Sequence, residues 1–279
     1  MNLNDIFFVI VLYKSSLEDS KTISSLSSIV DKNINLLVFD NSPIKQYENV
    51  NFQFKNFIIH YFHDETNPGL SAAYNLALDE SSKLNKKWLL LLDQDTTFTI
   101  EYIKEIESLE LNALSNTVVA IIPRVFSLLD KRIIAPVKMY LGGICRPVDI
   151  DNGVIKTKIS GINSGTILNV FYLNSINGFS KKYNLDMLDH WYFRRLFKNG
   201  KSVYLMKSQV YHELSVFGNF EENVTIDRYK QMLQSEYHFL KEDGIFSLLI
   251  FKFRLFFRFL KQLKYNNSDY YKYTLSKIF

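Results

Sequence analysis

The chain has a single cysteine, Cys145, in 279 residues. No intramolecular disulfide can form and no Cys-based zinc cluster can be built, which suits a reducing cytoplasm. Charge of one sign is scarce too, since 33 Lys and Arg against 29 Asp and Glu leave a formal net charge of only +4. An excess that small gives no argument for nucleic acid as a partner. No internal repeat or low-complexity linker interrupts the chain, and no apolar run of membrane-spanning length is uncharged. The run from Ile6 to Tyr13 is strand-length and follows acidic Asp5, where a signal peptide carries a basic region. The run from Ile245 is punctuated by Lys252, Arg254, Arg258 and Lys261, which argues against an ordinary transmembrane span.

What is present is core-forming material. With 47% hydrophobic residues the chain can bury a sizeable core as one large α/β domain or two small ones. Aromatics make up 15%, compatible with a carbohydrate-handling or membrane-touching surface and equally with a bulky core.

The first half reads as a nucleotide-binding α/β unit. Ile6 to Tyr13 has the continuous Phe, Val and Ile of a strand covered on both faces. Apolar residues at helical spacing over Leu17 to Val30 lead to a second strand, Asn35 to Phe39, ending at Asp40-Asn41-Ser42-Pro43. Phe57 to Phe62 is a third strand, Ser71 to Leu84 a helix after the turn Thr66-Asn67-Pro68-Gly69, and Trp88 to Leu92 a fourth strand ending at Asp93-Gln94-Asp95. In open sheets of this kind ligands sit at the carboxyl ends of the strands, so Tyr13, Asp40 and Asp93 are expected to converge on one cleft. The second half is less regular: a strand from Val118, a loop-rich section through Gly142-Gly143, the stretch Ile159 to Leu168, a helix opening at Asp186 and running to Lys198, and a strand over Ser202 to Met206 before Tyr211-His212-Glu213.

Asp93 and Asp95, two positions apart at a strand end, are the most informative local feature. One can grip a divalent cation and the other the hydroxyls of a bound nucleotide, and hard oxygen ligands suit Mg²⁺ or Mn²⁺. A metal there would offset charge on a departing nucleoside diphosphate. The same residues are also ordinary helix-capping material. A sharper rival is a haloacid-dehalogenase-like phosphatase, in which Asp93 is the phosphoryl nucleophile, Asp95 the general acid and Thr97 a third member. Against it, that signature usually opens such a chain, whereas here three strand-like segments come first.

The other candidates are weaker singly. Asp40 can accept from a pyrimidine ring N–H, though Asp40-Asn41-Ser42-Pro43 is also good Asx-turn material. Asn67-Pro68-Gly69 precedes a helix whose N-terminal amides attract an anion, and is otherwise simply a turn. Asp189, with Asp186 one expected helical turn earlier and Trp191 nearby, suits a general base, because a carboxylate shielded by rings is raised in pKa. It equally suits the favourable end of a helix dipole. His212 can complete a metal site or contact diphosphate, or be structural.

In order and spacing, Val-Ile-Val-Leu-Tyr-Lys (9–14), Phe-Asp-Asn-Ser (39–42), Asn-Pro-Gly-Leu-Ser-Ala-Ala-Tyr-Asn (67–75), Leu-Leu-Asp-Gln-Asp (91–95), Ser-Gly (164–165), Asn-Gly-Phe (177–179), Asp-Met-Leu-Asp (186–189) and His212 resemble the family 2 glycosyltransferases. The Asp-Gln-Asp variant leans towards their bacterial rhamnosyltransferase-like branch, which also transfers other sugars. The resemblance covers residues 6 to 240 and implies a GT-A fold, a Rossmann-like mixed sheet flanked by helices.

It implies an inverting, metal-dependent transferase that moves a sugar from a dTDP- or UDP-linked donor to a glycan hydroxyl, as in capsule or O-antigen synthesis. Val11, Tyr13 and Asp40 would then bind the base, Asn67 and Gly69 line the donor cleft, and Asp93 touch the ribose or metal. Asp95 and His212 would hold Mn²⁺ or Mg²⁺, Asp189 act as base, and Ser164 and Trp191 face the acceptor. Two departures bear on this: Leu12 and Lys14 stand where the branch often has Thr and Asn, and Trp191 where an acidic residue is common.

Residues 1–240 are thus expected to form the catalytic domain and 241–279 a basic amphipathic helical extension, resting on the membrane or on a second subunit. A membrane-resting extension places the protein in the cytoplasm, peripheral on the inner face of the cell membrane, with a lipid-linked acceptor; an oligomer is the other outcome. A non-catalytic glycan-binding protein that kept the fold is a further alternative.

Overall fold

A computed structural model describes residues 1–110, 114–213 and 220–279. The elements run β1 Ile6–Leu12, α1 Lys21–Ile29, β2 Ile34–Asp40, β3 Asn51–Phe54, β4 Phe57–His63, α2 Leu70–Lys83, β5 Trp88–Asp93, β6 Thr96–Thr97, α3 Ile100–Ser108 and β7 Val118–Ser127. They continue with β8 Ile133–Ala135, β9 Val137–Tyr140, β10 Ile144–Pro147, β11 Gly153–Ile155, β12 Ile167–Asn169, α4 Val170–Ser175, α5 Leu188–Lys198 and β13 Ser202–His212. The last are α6 Phe220–Asn223, α7 Ile226–Asp243, α8 Ile245–Gln262 and α9 Asp269–Ile278.

The described residues divide into two units. The first, residues 1–137, 147–184 and 188–213, holds a mixed sheet in the order β11-β13-β7-β12-β5-β1-β2-β4-β3, with β6 on β13 and β8 on β7. The strands β5, β1, β2 and β4 are parallel neighbours. β12 enters antiparallel between β5 and β7, so it alone is reversed there and the blocks on either side of it, β5-β1-β2-β4 and β7-β13, run in the same direction. β1 is buried along its whole length, as its unbroken apolar run requires of a strand covered on both faces. Alternation sorts that run: Ile6, Phe8, Ile10 and Leu12 join Ile23 and Leu26 of α1 and Tyr102 and Ile106 of α3 in one core, while α2 packs on β1 and β5 through Ala73, Tyr74 and Ala77.

The parallel strands fall where the apolar runs place them, within a residue or so at each end. Elsewhere the boundaries move. α1 starts at Lys21 because the Ser20 hydroxyl caps it, accepting from the Ile23 amide; Leu17 lies in the preceding loop, its N–H bonded to the Tyr47 hydroxyl at 2.7 Å. The strand read as Ser202 to Met206 continues to His212. In the Ile159 to Leu168 stretch regular strand pairing begins only at Ile167. The helix expected to open at Asp186 opens at Leu188, because Met187 takes a left-handed φ of 66° that no helix continues through. Asp186 therefore lies outside α5, not one helical turn before Asp189 within it as expected.

The second unit comprises residues 138–146, 185–187 and the described part of 214–279. α7, α8 and α9 pack on one another, and Asp186 makes a two-pronged ion pair with Arg228 of α7. The expected boundary at residue 240 runs through α7, which groups with the C-terminal helices. No described helix is long and apolar enough to cross a membrane.

Candidate active site

The first unit brings Tyr13, Asp40, Asp93, Asp95 and His212 to one edge of the sheet. Register puts Leu12 beside Asp40 and Val11 beside both Phe39 and Asp93. The carboxyl ends of β2, β1 and β5 thus present Asp40, Tyr13 and Asp93 side by side, at the edge where ligands of parallel sheets collect.

The loops at that edge are tied together by short polar bonds. The Lys14 N–H donates to the Ser42 hydroxyl at 2.8 Å. The Gln94 side chain accepts from the Tyr13 N–H at 2.9 Å and donates to the Tyr13 carbonyl at 3.5 Å. From α1, the Ser20 hydroxyl donates to the Gln94 carbonyl at 2.9 Å, and Thr22 accepts from the Thr96 amide at 3.0 Å while its hydroxyl faces the Asp93 and Thr96 carbonyls. A pocket of about 330 Å³ lies between the two loops, lined by Lys14, Ser16, Asp19, Ser42, Pro43 and Gln46. Tyr13 is 44% exposed beside it in sequence. Asp40 is fully buried, one carboxylate oxygen accepting from the Ser42 amide at 2.9 Å and the other from the Tyr61 hydroxyl at 2.6 Å. The Asx-turn reading of that motif is therefore realised in the fold.

The two aspartates meet His212 at the end of β13. Ser164, fully buried, donates its hydroxyl to Asp93. His212 Nδ1 lies 3.3 Å from the same hydroxyl oxygen, 3.0 Å from the Thr96 hydroxyl and 3.4 Å from Asp95 Oδ1. A proton on Nδ1 directed at Asp95 leaves the lone pair of a neutral His212 on Nε2. Burial raises the Asp95 pKa, opposed by His212 and reinforced by the negative charges of Asp93 and Glu213.

Asp95 and His212, with Asp93 close by, fit a hard divalent cation that takes its remaining ligands from diphosphate oxygens and water, as Mg²⁺ does. Among the described residues no group of three His, Cys, Asp or Glu side chains is itself drawn into a metal cage.

α2 carries the link to Asp189. Gly69, at φ 89°, caps α2 against the Asn184 carbonyl, which accepts from the Leu70 amide at 2.6 Å and the Ser71 amide at 3.3 Å. A Cβ on Gly69 would lie 2.4 Å from that oxygen. Two amides of the helix N-terminus are thus already taken by the chain itself, which corrects the expectation that they wait for an anion. Asn67 is exposed at φ 51°.

Further along α2, Asn75 grips Phe179 by both backbone groups, at 2.8 and 3.0 Å. That bond pair ties Asn75 to the Asn-Gly-Phe segment about a hundred residues later. Tyr74 is fully buried and its hydroxyl has no hydrogen-bond partner. Burial pushes its pKa well up, with the charges of Asp93 and Asp189 adding to the effect.

Asp189 stands on the first turn of α5. Asp189 is half-buried and accepts from the His190 amide at 2.6 Å; Trp191, two residues on, is half-buried as well. Sequence reasoning gave no role to Tyr74, Thr22 or Gln94. Of these only Gln94 carried a signal, its place between two functional carboxylates.

Residues 8–128 match the family model described as Glycosyl transferase family 2. By sequence, no curated protein matches the chain. In structure, 98% of the chain superimposes on 54% of GalNAc-T7 bound to UDP, GalNAc and Mn²⁺, with a TM-score of 0.61 and 11% identity. It also superimposes, over 97% of its length, on 79% of S. aureus TarS 1-349 in complex with UDP-GlcNAc, with a TM-score of 0.55 and 14% identity. The mannosyltransferase PcManGT from Pyrobaculum calidifontis, in complex with GDP-Man and Mn²⁺, matches at a TM-score of 0.51 and 9% identity, over 98% of this chain and 73% of that one. The chain spans about half the length of the GalNAc-T7 structure. The phosphatase reading of Asp93 and Asp95 does not survive this fold: the chain has the mixed, helix-flanked sheet of the GT-A glycosyltransferases, and its first half carries the match to glycosyl transferase family 2.

Proposed function

We propose that the chain is a metal-dependent, inverting glycosyltransferase. It moves a sugar, rhamnose being the one its closest motif variant favours, from a dTDP- or UDP-linked donor to a glycan hydroxyl in bacterial surface polysaccharide synthesis. The acceptor is lipid-linked and the protein works at the inner face of the cell membrane. The observation that carries this reading is the cluster at the strand ends, where Ser164 donates to Asp93 and His212 Nδ1 lies 3.4 Å from Asp95 Oδ1.

In this reading the base of the nucleotide sits at the ends of β1 and β2, near Val11, Tyr13 and Asp40, with Asn67 and Gly69 bordering the donor. Asp93 holds the ribose, and Asp95 with His212 holds Mn²⁺ or Mg²⁺. When bound, the cation offsets the charge that develops on the departing diphosphate. Asp189 takes the proton of the acceptor hydroxyl, whose oxygen forms the new bond to the anomeric carbon as the bond from that carbon to the diphosphate breaks. Attack opposite the leaving group inverts the centre. Ser164 fixes the orientation of Asp93 through its donated hydroxyl, and Trp191 offers the acceptor an aromatic face.

Isothermal titration with UDP and dTDP, each with and without Mn²⁺ and repeated on Asp95→Ala, tests the donor side. Metal-dependent binding of one nucleotide that disappears in the variant is the expected outcome. Failure of both nucleotides to bind the folded protein in the presence of metal refutes it.

A further inference from the structure

α8 has two faces of different chemistry. Ser247, Phe251, Leu255 and Gln262 are buried and make up the inner side. Arg254 belongs to that side, donating to the Gly142 carbonyl, and so does Arg258, which binds both carboxylate oxygens of Glu236 at 2.8 and 3.3 Å. These two guanidinium groups, which the sequence offers as part of a basic outer face, are committed within the second unit.

The opposite side is apolar. Phe246, Leu249, Phe253, Phe256, Phe257 and Leu260 follow the three- and four-residue steps of one helical stripe, and they are exposed, Phe246 by 74%, Phe253 by 64% and Phe257 by 50%. By helical phase Lys252 and Lys261 border the stripe on its two sides. Residues 244–279 hold seven Lys and Arg against one acidic residue, Asp269, although the whole chain carries only +4. The segment that carries the exposed apolar stripe is thus itself net positive, with Lys252 and Lys261 the two of its charges that flank the stripe.

We propose that the outer face of α8 is a lipid-docking surface, lying in the plane of an anionic bilayer with its Phe and Leu side chains at the acyl boundary and Lys252 and Lys261 at the headgroups. This deepens the membrane part of the proposed function and rests on that reading for its purpose. A stripe of exposed aromatic and aliphatic residues bordered by lysines is the composition that interfacial helices use, and no described helix can span instead. A second copy of the chain fits less well. Two-fold pairing of this face would bring lysine-bordered stripes together with no acidic residue on α8 to meet them.

The test is co-sedimentation of the full chain with vesicles of phosphatidylcholine alone, or of equal parts phosphatidylcholine and phosphatidylglycerol, with UDP titration and sedimentation velocity on the same samples. Binding to the anionic vesicles, weakened by salt, is expected. Lys252→Gln/Lys261→Gln should weaken it by about thirtyfold, at the usual contribution per lysine near an anionic surface. Phe253→Ser/Phe257→Ser should weaken it by at least about tenfold. Both variants should keep the thermal midpoint of the parent.

Equal vesicle binding by parent and Phe253→Ser/Phe257→Ser overturns the proposal, and so does a parent that ignores anionic vesicles. A parent dimer that the Phe variant dissociates without change in vesicle binding assigns the face to a second copy and overturns it as well. Vesicle binding by a parent that takes up no nucleotide would retire the transferase reading and leave the lipid surface standing.

Discussion

Replacing Gly69 by alanine gives a sharp test of how α2 is set at the site. The residue sits at φ 89° and ψ −172°, a region that side chains other than hydrogen occupy at a cost of about 1–3 kcal/mol. Its new Cβ would meet the Asn184 carbonyl oxygen at 2.4 Å and the carbonyl carbon at 3.0 Å. Those are backbone atoms that cannot swing aside, so the Leu70 and Ser71 amide bonds to that oxygen must lengthen, at about 1 kcal/mol each. Together Gly69→Ala should cost about 3–5 kcal/mol, a large part of a typical domain stability of about 5–15 kcal/mol.

Gly153 is the control. It too has positive φ, at 112°, yet a Cβ there meets nothing within 4 Å, so Gly153→Ala should cost only the backbone term of about 1–3 kcal/mol. Urea unfolding followed by the fluorescence of Trp88 and Trp191, both in the first unit, reads the two variants. The reasoning fails if Gly69→Ala is no less stable than Gly153→Ala.

Three further outcomes follow from the site. Asp189→Asn should lower kcat by about 100- to 10,000-fold, the usual range for a lost general base, while the donor Kd measured by calorimetry stays within a factor of about two; an equal loss of donor affinity would mean that Asp189 binds rather than abstracts.

Asp95 has a folded pKa above its ordinary value. Its contribution to stability is therefore fully present below about pH 3.8 and is lost as pH rises through the folded pKa, leaving the ionised group a net cost. Asp95→Asn should accordingly be the more stable protein at neutral pH by less than about 1 kcal/mol after solvent screening. That advantage should vanish in acid and reverse when Mn²⁺ and nucleotide are added, all readable in thermal melts across pH. Tyr74→Phe removes a buried hydroxyl with no partner and should raise stability by about 1 kcal/mol; a loss instead would place an undetected acceptor beside it.

The parallel half of the sheet was legible because each strand is buried on both faces and so writes itself as an unbroken apolar run, as in Trp88 to Leu92. Its polar strand ends were legible for the same reason, since Asp40 and Asp93 stop those runs abruptly. What escaped depends on partners far away in sequence. β12 is three residues long and exists through its pairing with β5 and β7, which no local pattern announces. Asp186 looks one helical turn ahead of Asp189 until Met187 turns the backbone left-handed. The amides before α2 look available until Asn184, more than a hundred residues later, supplies their acceptor. On α8 the composition gave the amphipathic character, while the inward turn of Arg254 and Arg258 needed the positions of Gly142 and Glu236.

Gln94 deserves its place between the two aspartates for a reason that concerns timing. Because its amide already holds both backbone groups of Tyr13, the turn that presents Asp93 and Asp95 is ordered during folding, before any nucleotide arrives. The entropy of fixing that turn is then absent from the binding step. A preorganised turn of this kind lets a small ligand be held with few contacts, and it makes the glutamine a determinant of affinity although no part of it need touch the donor.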